Sequence, residues 1–356
     1  MTFLRAKIPP AFQTFNFFRF VIAIYWVLLS VGLTYILGNG DPMVFVRFDP
    51  DPVNSEGNQF EGYDGQFAYL IALDPIGAVD KMDVPTWRYL RILYPLIAWV
   101  ISFGGNPSLV PWALIGINVI SAAAATILLG KLIHRRGHSP WYALALTCFV
   151  GMFFSVFMDL NEPLSVAFIL LAIDRYEEDR FFLSLVFFAF AALTKETAII
   201  FPIGLGVWLA LSRNWKKLFY LIAISLLPWA LWVIIVRYWT GTSATWILGL
   251  VRLVPFSGLG GIRSLSLFIF SIIWILGPMV LLVWVIASDL RTRQWSWESW
   301  VVVGNMLFIA IQPSVSWNDL IALYRYIVPF VAISLIYTAS RNSRVFRILS
   351  INWSMS

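Results

Sequence analysis

Long apolar stretches, separated by short polar segments, make up most of this chain. In chain order they are residues 20–37, 111–130, 140–157, 163–173, 181–193, 198–211, 218–236, 265–287, 300–311 and 320–339. A helix needs about 20 apolar residues to cross a bilayer. The pattern therefore predicts an all-α membrane protein with about ten transmembrane helices. Several stretches are shorter than that, so we expect their ends to be buried in protein or to dip in from the surface.

Two polar loops interrupt this pattern, at residues 38–110 and 239–263. In the first loop, Phe67, Leu70, Ile71 and Asp74 follow a helical spacing, which predicts a short helix over 63–73. Residues 94–103 are apolar but too few to span the bilayer, so they predict a second helix lying at the membrane surface. We expect one transmembrane domain over residues 1–356, with two juxtamembrane helices in its first loop.

Composition agrees with a multi-pass membrane protein. Hydrophobic residues make up 60% of the chain and charged residues only 12%, whereas a soluble domain has about 25% charged residues. The 18 Trp and 13 Tyr suit belts at the two membrane interfaces. The net charge of +6 would also suit nucleic acid, but its distribution follows membrane topology, so we expect no nucleic-acid partner.

The positions of the basic residues predict the orientation. Six basic segments fall on one side if residues 94–103 do not span the membrane. Their members are Arg5, Lys7, Arg19, Lys131, Arg135, Arg136, Arg175, Arg180, Arg213, Lys216, Lys217, Arg291, Arg293, Arg341, Arg344 and Arg347. Basic loops are typical of the cytoplasmic face. The acidic first loop is therefore predicted to face outward, into the periplasm, the cell exterior or an organelle lumen. Of these membranes, we favour a bacterial plasma membrane over the endoplasmic reticulum.

Asp64 is the first candidate for chemistry, because it lies where the predicted loop helix begins. A carboxylate is favoured there, since the backbone N–H groups of the first turn have no helical partner. One interpretation is a simple helix cap. The other is a general base, whose pKa low-dielectric surroundings would raise toward the working pH.

Other charged residues fall in the predicted outward turns. Lys195 and Glu196 lie at a helix junction, where they form either a local ion pair or a contact with a substrate phosphate. Asp159 and Glu162 would suit Mg²⁺ or Mn²⁺ together with Asp64 or Asp319, or they cap the next helix. The spacing does not decide for a metal, so the metal ligands are left unassigned.

Arginines near the second loop are candidates for binding phosphate. Arg252 and Arg263 flank the glycine-rich segment 257–261, whose backbone N–H groups can form an anion site. Arg325 begins the last apolar stretch, where it either binds phosphate or extends to the lipid headgroups. The sequence contains no phosphate-binding loop of the nucleotide-hydrolase type, no Gly-x-Ser-x-Gly and no His-Glu-x-x-His.

The order of these features resembles the GT-C superfamily of integral-membrane glycosyltransferases. Tyr63-Asp64-Gly65-Gln66, followed by residues 71–75, is similar to the first-loop motif of enzymes that use polyprenyl-phosphate sugars, among them glycosylphosphatidylinositol mannosyltransferases and bacterial cell-surface glycopolymer proteins. Residues 88–96 resemble the second juxtamembrane helix of these families. Thr194-Lys195-Glu196-Thr197 resembles their Lys–Glu junction. The similarity covers roughly residues 15–215, and the chain lacks a first-loop Asp-x-Asp other than Asp49-Pro50-Asp51.

The resemblance implies the transfer of one hexose, such as mannose, from a polyprenyl phosphate to a glycan, lipid or protein acceptor, with inversion. Asp64 would remove the acceptor proton. The substrate-binding residues would be Gln66, Asp74, Arg88, Asp159, Glu162, Lys195, Glu196, Arg252, Arg263 and Arg325. A transporter or flippase of lipid-linked sugars, and a non-catalytic assembly subunit, are the alternatives.

Overall fold

The chain is helical throughout the part that the structure describes. The computed structural model describes residues 10–48, 62–241 and 254–356. Within these ranges the helices are joined by turns and no strand is present. The prediction of an all-α protein is therefore confirmed for these residues.

Ten α-helices lie among the described residues up to Thr194. They are α1 (Pro10–Gly38), α2 (Met43–Val46), α3 (Gly65–Leu73), α4 (Pro85–Tyr89), α5 (Leu93–Ile101), α6 (Val110–Arg135), α7 (Leu144–Thr147), α8 (Val150–Val156), α9 (Glu162–Glu177) and α10 (Phe181–Thr194). The stretch predicted as one span over 140–157 is broken, since a 3₁₀ turn (Pro140–Ala143), α7 and α8 follow one another there.

The second half continues in the same way. Its helices are α11 (Ile200–Leu211), α12 (Trp215–Leu221), α13 (Leu227–Thr240), α14 (Leu265–Ser271), α15 (Gly277–Thr292), α16 (Trp297–Ala310), α17 (Ser314–Asn318), α18 (Leu320–Tyr326), α19 (Val328–Arg341) and α20 (Ser343–Ser354). A π-helical turn joins α12 to α13 at Ile222–Leu226, and another joins α14 to α15 at Ile272–Leu276. Pro228 and Pro278 follow these turns and lack the N–H that a regular helix needs.

In the part of the chain that the structure describes, four helices are long and apolar enough to cross a membrane. They are Phe15–Gly38, Val110–Arg135, Trp215–Thr240 and Leu265–Thr292. Four shorter apolar helices accompany them, at Phe181–Thr194, Glu196–Leu211, Trp297–Ala310 and Val328–Arg341. These lengths and compositions support membrane association, and the total of ten spans stays a prediction.

The two juxtamembrane helices lie close to where the sequence predicts them. Helix α3 covers all but two residues of the predicted 63–73, and α5 occupies Leu93–Ile101. Nine residues of helix are about 14 Å long, less than half the thickness of a bilayer core. Helix α3 packs against α5 and α6 through the small residues Ala68, Ala72, Ala98 and Ala113. This close packing seats the N-terminus of α3, and with it Asp64, on the helical bundle.

Charged side chains gather at the two ends of helix α9. At one end, Glu162 begins α9 and pairs with Lys195. At the other end, Lys131 of α6 contacts Asp174 of α9 and Glu178, the residue that follows α9. Twelve residues separate Glu162 from Asp174, which is about 18 Å along a helix. The structure thus separates the outward candidates from the basic residues that the charge pattern assigns to the cytoplasm.

Gly65 provides a first test of how α3 is held. A Cβ at this position would lie 2.1 Å from the carbonyl oxygen of Met158. We expect Gly65→Ala to lower the free energy of unfolding by about 1–3 kcal/mol, because the backbones of α3 and of the turn before α9 must move apart. Thermal unfolding of the purified protein in mild detergent measures the change.

Gly116→Ala is the matched control for this substitution. Gly116 lies within α6, and a Cβ there would meet nothing within 4 Å. Alanine favours a helix over glycine by up to about 1 kcal/mol, so this variant should be as stable as the wild type or more stable. Equal losses in the two variants would contradict the tight contact at Gly65.

Candidate active site around Asp64

Three arginines converge on the carboxylate of Asp64. Arg325 Nη2 lies 2.5 Å from Asp64 Oδ2, and Arg88 Nη1 lies 2.7 Å from Oδ1. Arg91 Nη1 is 3.5 Å from Oδ2. The Asp64 side chain is 20% exposed and faces these cations rather than apolar side chains. Asp64 precedes the first residue of α3, but its side chain makes no capping hydrogen bond, so its role differs from that of a helix cap.

A second set of acids surrounds these cations. Arg91 donates two hydrogen bonds to Glu196, from Nε and from Nη2, each 2.9 Å long. Arg88 donates to Asp83 from Nε at 2.9 Å and from Nη2 at 2.6 Å. Lys195 contacts Glu162, whose Oε1 is also 3.7 Å from Arg325 Nε. Asp64, the three arginines, Lys195, Glu162, Glu196 and Asp83 form one ion-pair network, called the Asp64 cluster below.

Local sequence explains how α4 and the turn after it place two of the arginines. Pro85 starts α4, since its fixed φ suits the first helical turn. Arg88 and Arg91 are three residues apart, so they point to the same side of the chain. Between them, Tyr89 is fully buried, and its hydroxyl donates to the carbonyl of Pro75 at 2.9 Å.

Aromatic rings line the cluster and hold the cationic groups. Arg88 Cζ lies 3.8 Å from the ring centre of Phe67. Arg325 Cζ lies 5.2 Å from the ring of Tyr63 and 5.0 Å from that of Tyr326, which Lys195 also faces at 5.2 Å. Rings at these distances attract a cation through their quadrupole. They therefore orient the guanidinium groups without neutralising them.

The arginines control the acidity of Asp64. Burial by itself raises the pKa of this carboxyl, but the charges of Arg325, Arg88 and Arg91 outweigh burial and hold the pKa well below its usual range. Asp64 is therefore ionised at neutral pH and is a weak base as long as the three guanidinium groups contact it.

Asp159 behaves in the opposite way. Its side chain is fully buried in the turn before α9, and neither carboxylate oxygen has a hydrogen-bond partner among the residues that the structure describes. Burial raises the pKa of Asp159 well above its usual range. Burial without a hydrogen-bond partner thus disfavours the charged form of this carboxyl.

A small cavity opens beside Asp64. Asp64, Arg88, Arg91 and Asn161 supply its polar lining, and Phe67, Ala68, Ile71 and Pro95 supply its apolar lining. Its volume of about 10 Å³ holds roughly one water molecule. The site therefore combines a carboxylate, several cations and an opening, but it is narrow in this conformation.

Several candidates from the sequence come together here and others do not. Asp64, Arg88, Glu162, Lys195, Glu196 and Arg325 belong to the Asp64 cluster. Gln66 is buried on α3, two residues after Asp64. Asp159 lies at the Gly65 contact, where its Cβ would be 3.3 Å from an added Cβ.

Asp74 is placed differently from the prediction. Its Oδ1 accepts backbone hydrogen bonds from Ile76 at 3.1 Å and from Gly77 at 2.9 Å, and its side chain is exposed. Helix α3 separates it from Asp64 by about 15 Å. Asp74 therefore shapes the turn after α3 and does not belong to the Asp64 cluster.

The second loop contributes a separate pocket. Arg263 is exposed and lines a cavity of about 630 Å³ together with Ser314, Asn318 and Asp319. This pocket adjoins the cluster through Tyr63, whose hydroxyl donates to Asp319 Oδ2 at 3.3 Å. Arg252 lies outside the described residues.

The side chains present do not favour a divalent cation. Among the residues described here, no three His, Cys, Asp or Glu side chains are grouped so that they could hold a metal ion. Asp64 and Glu162 already contact cationic side chains, which would repel Mg²⁺ or Mn²⁺.

Sequence reasoning missed three members of this site. Arg91, Asp83 and Tyr326 each contact a predicted residue directly. A signal existed for Arg91, because it follows Arg88 by three residues in a short helical segment. No comparable signal marks Asp83 or Tyr326.

Comparisons with protein-family models, with curated proteins and with solved structures found no match for this chain. The resemblance to membrane glycosyltransferases therefore depends on the sequence motifs alone, in the first loop and at residues 194–197.

Proposed function

We propose that this protein is an integral-membrane glycosyltransferase that moves one sugar from a polyprenyl-phosphate donor to an acceptor hydroxyl. One observation carries the proposal: a carboxylate and four cationic side chains form one cluster where the first loop packs on an apolar helical bundle, and a small cavity opens at the carboxylate. A lipid-phosphate donor needs cations for its phosphate and a base for the acceptor. Both types of group are present within one cluster.

The proposed reaction is a single displacement at the anomeric carbon. The acceptor oxygen forms a bond to C1 of the sugar, and the bond between C1 and the phosphate oxygen breaks. The hydroxyl proton passes to the Asp64 carboxylate, and the electron pair of the broken bond stays on the polyprenyl phosphate. Arg325 and Arg88 would stabilise the charge that develops on this leaving group. Attack opposite the phosphate inverts the configuration at C1.

The low pKa of Asp64 limits this role in the free protein. A base with a pKa far below the working pH accepts a proton poorly. A donor phosphate would compete for the same guanidinium groups, because both anions suit their forked geometry. The carboxylate would then be released from the ion pairs that keep its pKa low.

A panel of radiolabelled polyprenyl-phosphate hexoses tests the proposed function. Purified protein in lipid vesicles should transfer label from at least one of these donors to a lipid or glycan acceptor and release polyprenyl phosphate. We expect Arg325→Met to lower this transfer by about 10²-fold or more, because one positive charge facing the leaving phosphate is lost. Transport of the labelled lipid across the vesicle without any transfer would instead support a flippase and reject the glycosyltransferase.

A further inference from the structure

We infer that Asp64 occupies the place of the substrate's phosphate group in this structure, and that an arriving phosphate displaces it from Arg325 and Arg88. The inference rests on the proposed function, because it assigns an order to events at the same site. The phosphate binds first, and only then does the carboxylate become available to the acceptor hydroxyl.

The geometry around Asp64 is that of a bound anion. Its two oxygens are contacted by three guanidinium groups at 2.5, 2.7 and 3.5 Å. A phosphate group presents the same kind of oxygen pair to arginine. The three arginines come from α4, the turn that follows it, and α18, so the site is assembled from distant parts of the chain.

The small size of the cavity beside Asp64 also indicates that the Asp64 side chain must move before a phosphate can bind. The cavity of about 10 Å³ beside Asp64 holds roughly one water molecule and is too small for a phosphate with its two substituents. The backbone at the start of α3 packs closely on the turn before α9, because Gly65 lies against the carbonyl of Met158. The Asp64 side chain has no capping bond to hold it. Rotation of this one side chain therefore makes room at the arginines.

The charges of the cluster indicate which anion fits. Arg91 keeps Glu196, Arg88 keeps Asp83, and Lys195 keeps Glu162 when Asp64 turns away. Among the described residues, Arg325 is then left with Glu162 at 3.7 Å as its nearest acid. One positive charge is exposed, which a singly charged phosphodiester would neutralise. A diphosphate would bring at least one negative charge too many into a low-dielectric site.

The displacement also accounts for how a weak base could act. In the free protein the three arginines lower the pKa of Asp64. Once Arg325 and Arg88 contact a phosphate, its negative charge offsets their positive charges. The pKa of the Asp64 carboxyl then rises toward its ordinary value. Proton transfer is thus coupled to occupation of the donor site.

Binding of dodecyl methyl phosphate, a singly charged phosphodiester, tests the inference by calorimetry on the full-length protein in detergent. We expect Asp64→Asn to bind it at least about 10-fold more tightly than the wild type, because the internal competitor is gone. Asp74→Asn is the matched control, since it removes one negative charge from an exposed side chain at the other end of α3, outside the Asp64 cluster. It should change affinity by no more than about 3-fold, because salt screens a distant exposed charge.

Three results would overturn the inference: unchanged binding by Asp64→Asn, weaker binding by it, or an equal gain in Asp74→Asn, which would be an effect of net charge alone. If Asp64→Asn fails to fold, a structure of the wild type with dodecyl methyl phosphate decides. Phosphate oxygens should lie roughly 3 Å from Arg325 and Arg88, with the Asp64 carboxylate turned away. Asp64 still paired with Arg325, beside a bound probe, rejects the displacement.

Failure of the inference is distinguishable from failure of the proposed function. If the wild type transfers sugar but Asp64→Asn gains no affinity, the displacement is wrong and the enzyme assignment stands. If Asp64→Asn gains affinity but no donor supports transfer, the phosphate site stands and the enzyme assignment falls.

Discussion

Replacing Asp64 with asparagine should lower the rate of sugar transfer by about 10²–10⁴-fold, the usual contribution of a general base. Asparagine keeps the shape of the side chain and still accepts a hydrogen bond from Arg325, but it cannot take up the acceptor's proton at neutral pH. The measurement is single-turnover transfer of radiolabelled sugar by the purified protein. Thermal unfolding of the same sample shows whether the variant remains folded.

Asp74→Asn is the matched control for this loss. The substitution is chemically identical and lies at the other end of the same helix. Asparagine can still accept the backbone hydrogen bonds from Ile76 and Gly77 that Asp74 accepts now. Transfer by this variant should stay within about 2-fold of the wild type, as expected for an exposed surface substitution.

Two outcomes would reject these roles. An Asp64→Asn protein that is folded and transfers sugar at the wild-type rate cannot be using Asp64 as its base. A large loss of sugar transfer in Asp74→Asn would mean that Asp74 does take part in the site, as the sequence predicted.

The first loop shows how much of the site the sequence can predict. The apolar spacing of residues 67–71 is sufficient to predict α3, and the brevity of the 94–103 stretch predicts that α5 does not span. Both signals are local, since periodicity and length are properties of one segment. Asp64 was singled out for the same reason, because it precedes a recognisable helix.

The partners of Asp64 could not be predicted in this way. Arg325 is separated from Asp64 by 261 residues, and Arg88 by 24. Which cation pairs with which acid depends on how the helices pack against one another. This packing cannot be predicted from the residue pattern of a single sequence. The sequence indicated that Arg325 either binds phosphate or extends to the headgroups, whereas the structure turns it inward to a carboxylate.

Helix α20 was missed for a different reason. Its apolar residues occupy one face only, with Val345, Phe346, Leu349 and Trp353 buried while arginines lie on the other face. A search for continuous apolar stretches passes over such a helix. The indole N–H of Trp353 donates to the carbonyl of Trp274 at 3.0 Å. Trp274 lies in the π-helical turn Ile272–Leu276, which the sequence pattern did not predict either.

Lys195 and Glu162 offer the second large effect, on stability rather than on rate. Their side chains are only 2% and 1% exposed, and they contact each other. Lys195→Met should lower the free energy of unfolding by about 3–5 kcal/mol, because it leaves a carboxylate buried without its main partner. Arg325 at 3.7 Å compensates in part, which favours the lower end of this range. Denaturant titration followed by tryptophan fluorescence measures the loss.

The double variant Lys195→Met with Glu162→Leu distinguishes two causes of a loss of stability: an unpaired buried carboxylate at Glu162 and poor packing of the new methionine. Replacing both members of a buried ion pair with apolar residues of similar size is often neutral or stabilising. The double variant should therefore recover most of the stability that the single variant loses. A double variant no more stable than Lys195→Met would mean that the methionine packs badly. A single variant as stable as the wild type would mean that Arg325 has turned fully to Glu162, and Asp64 would then have lost its closest cation.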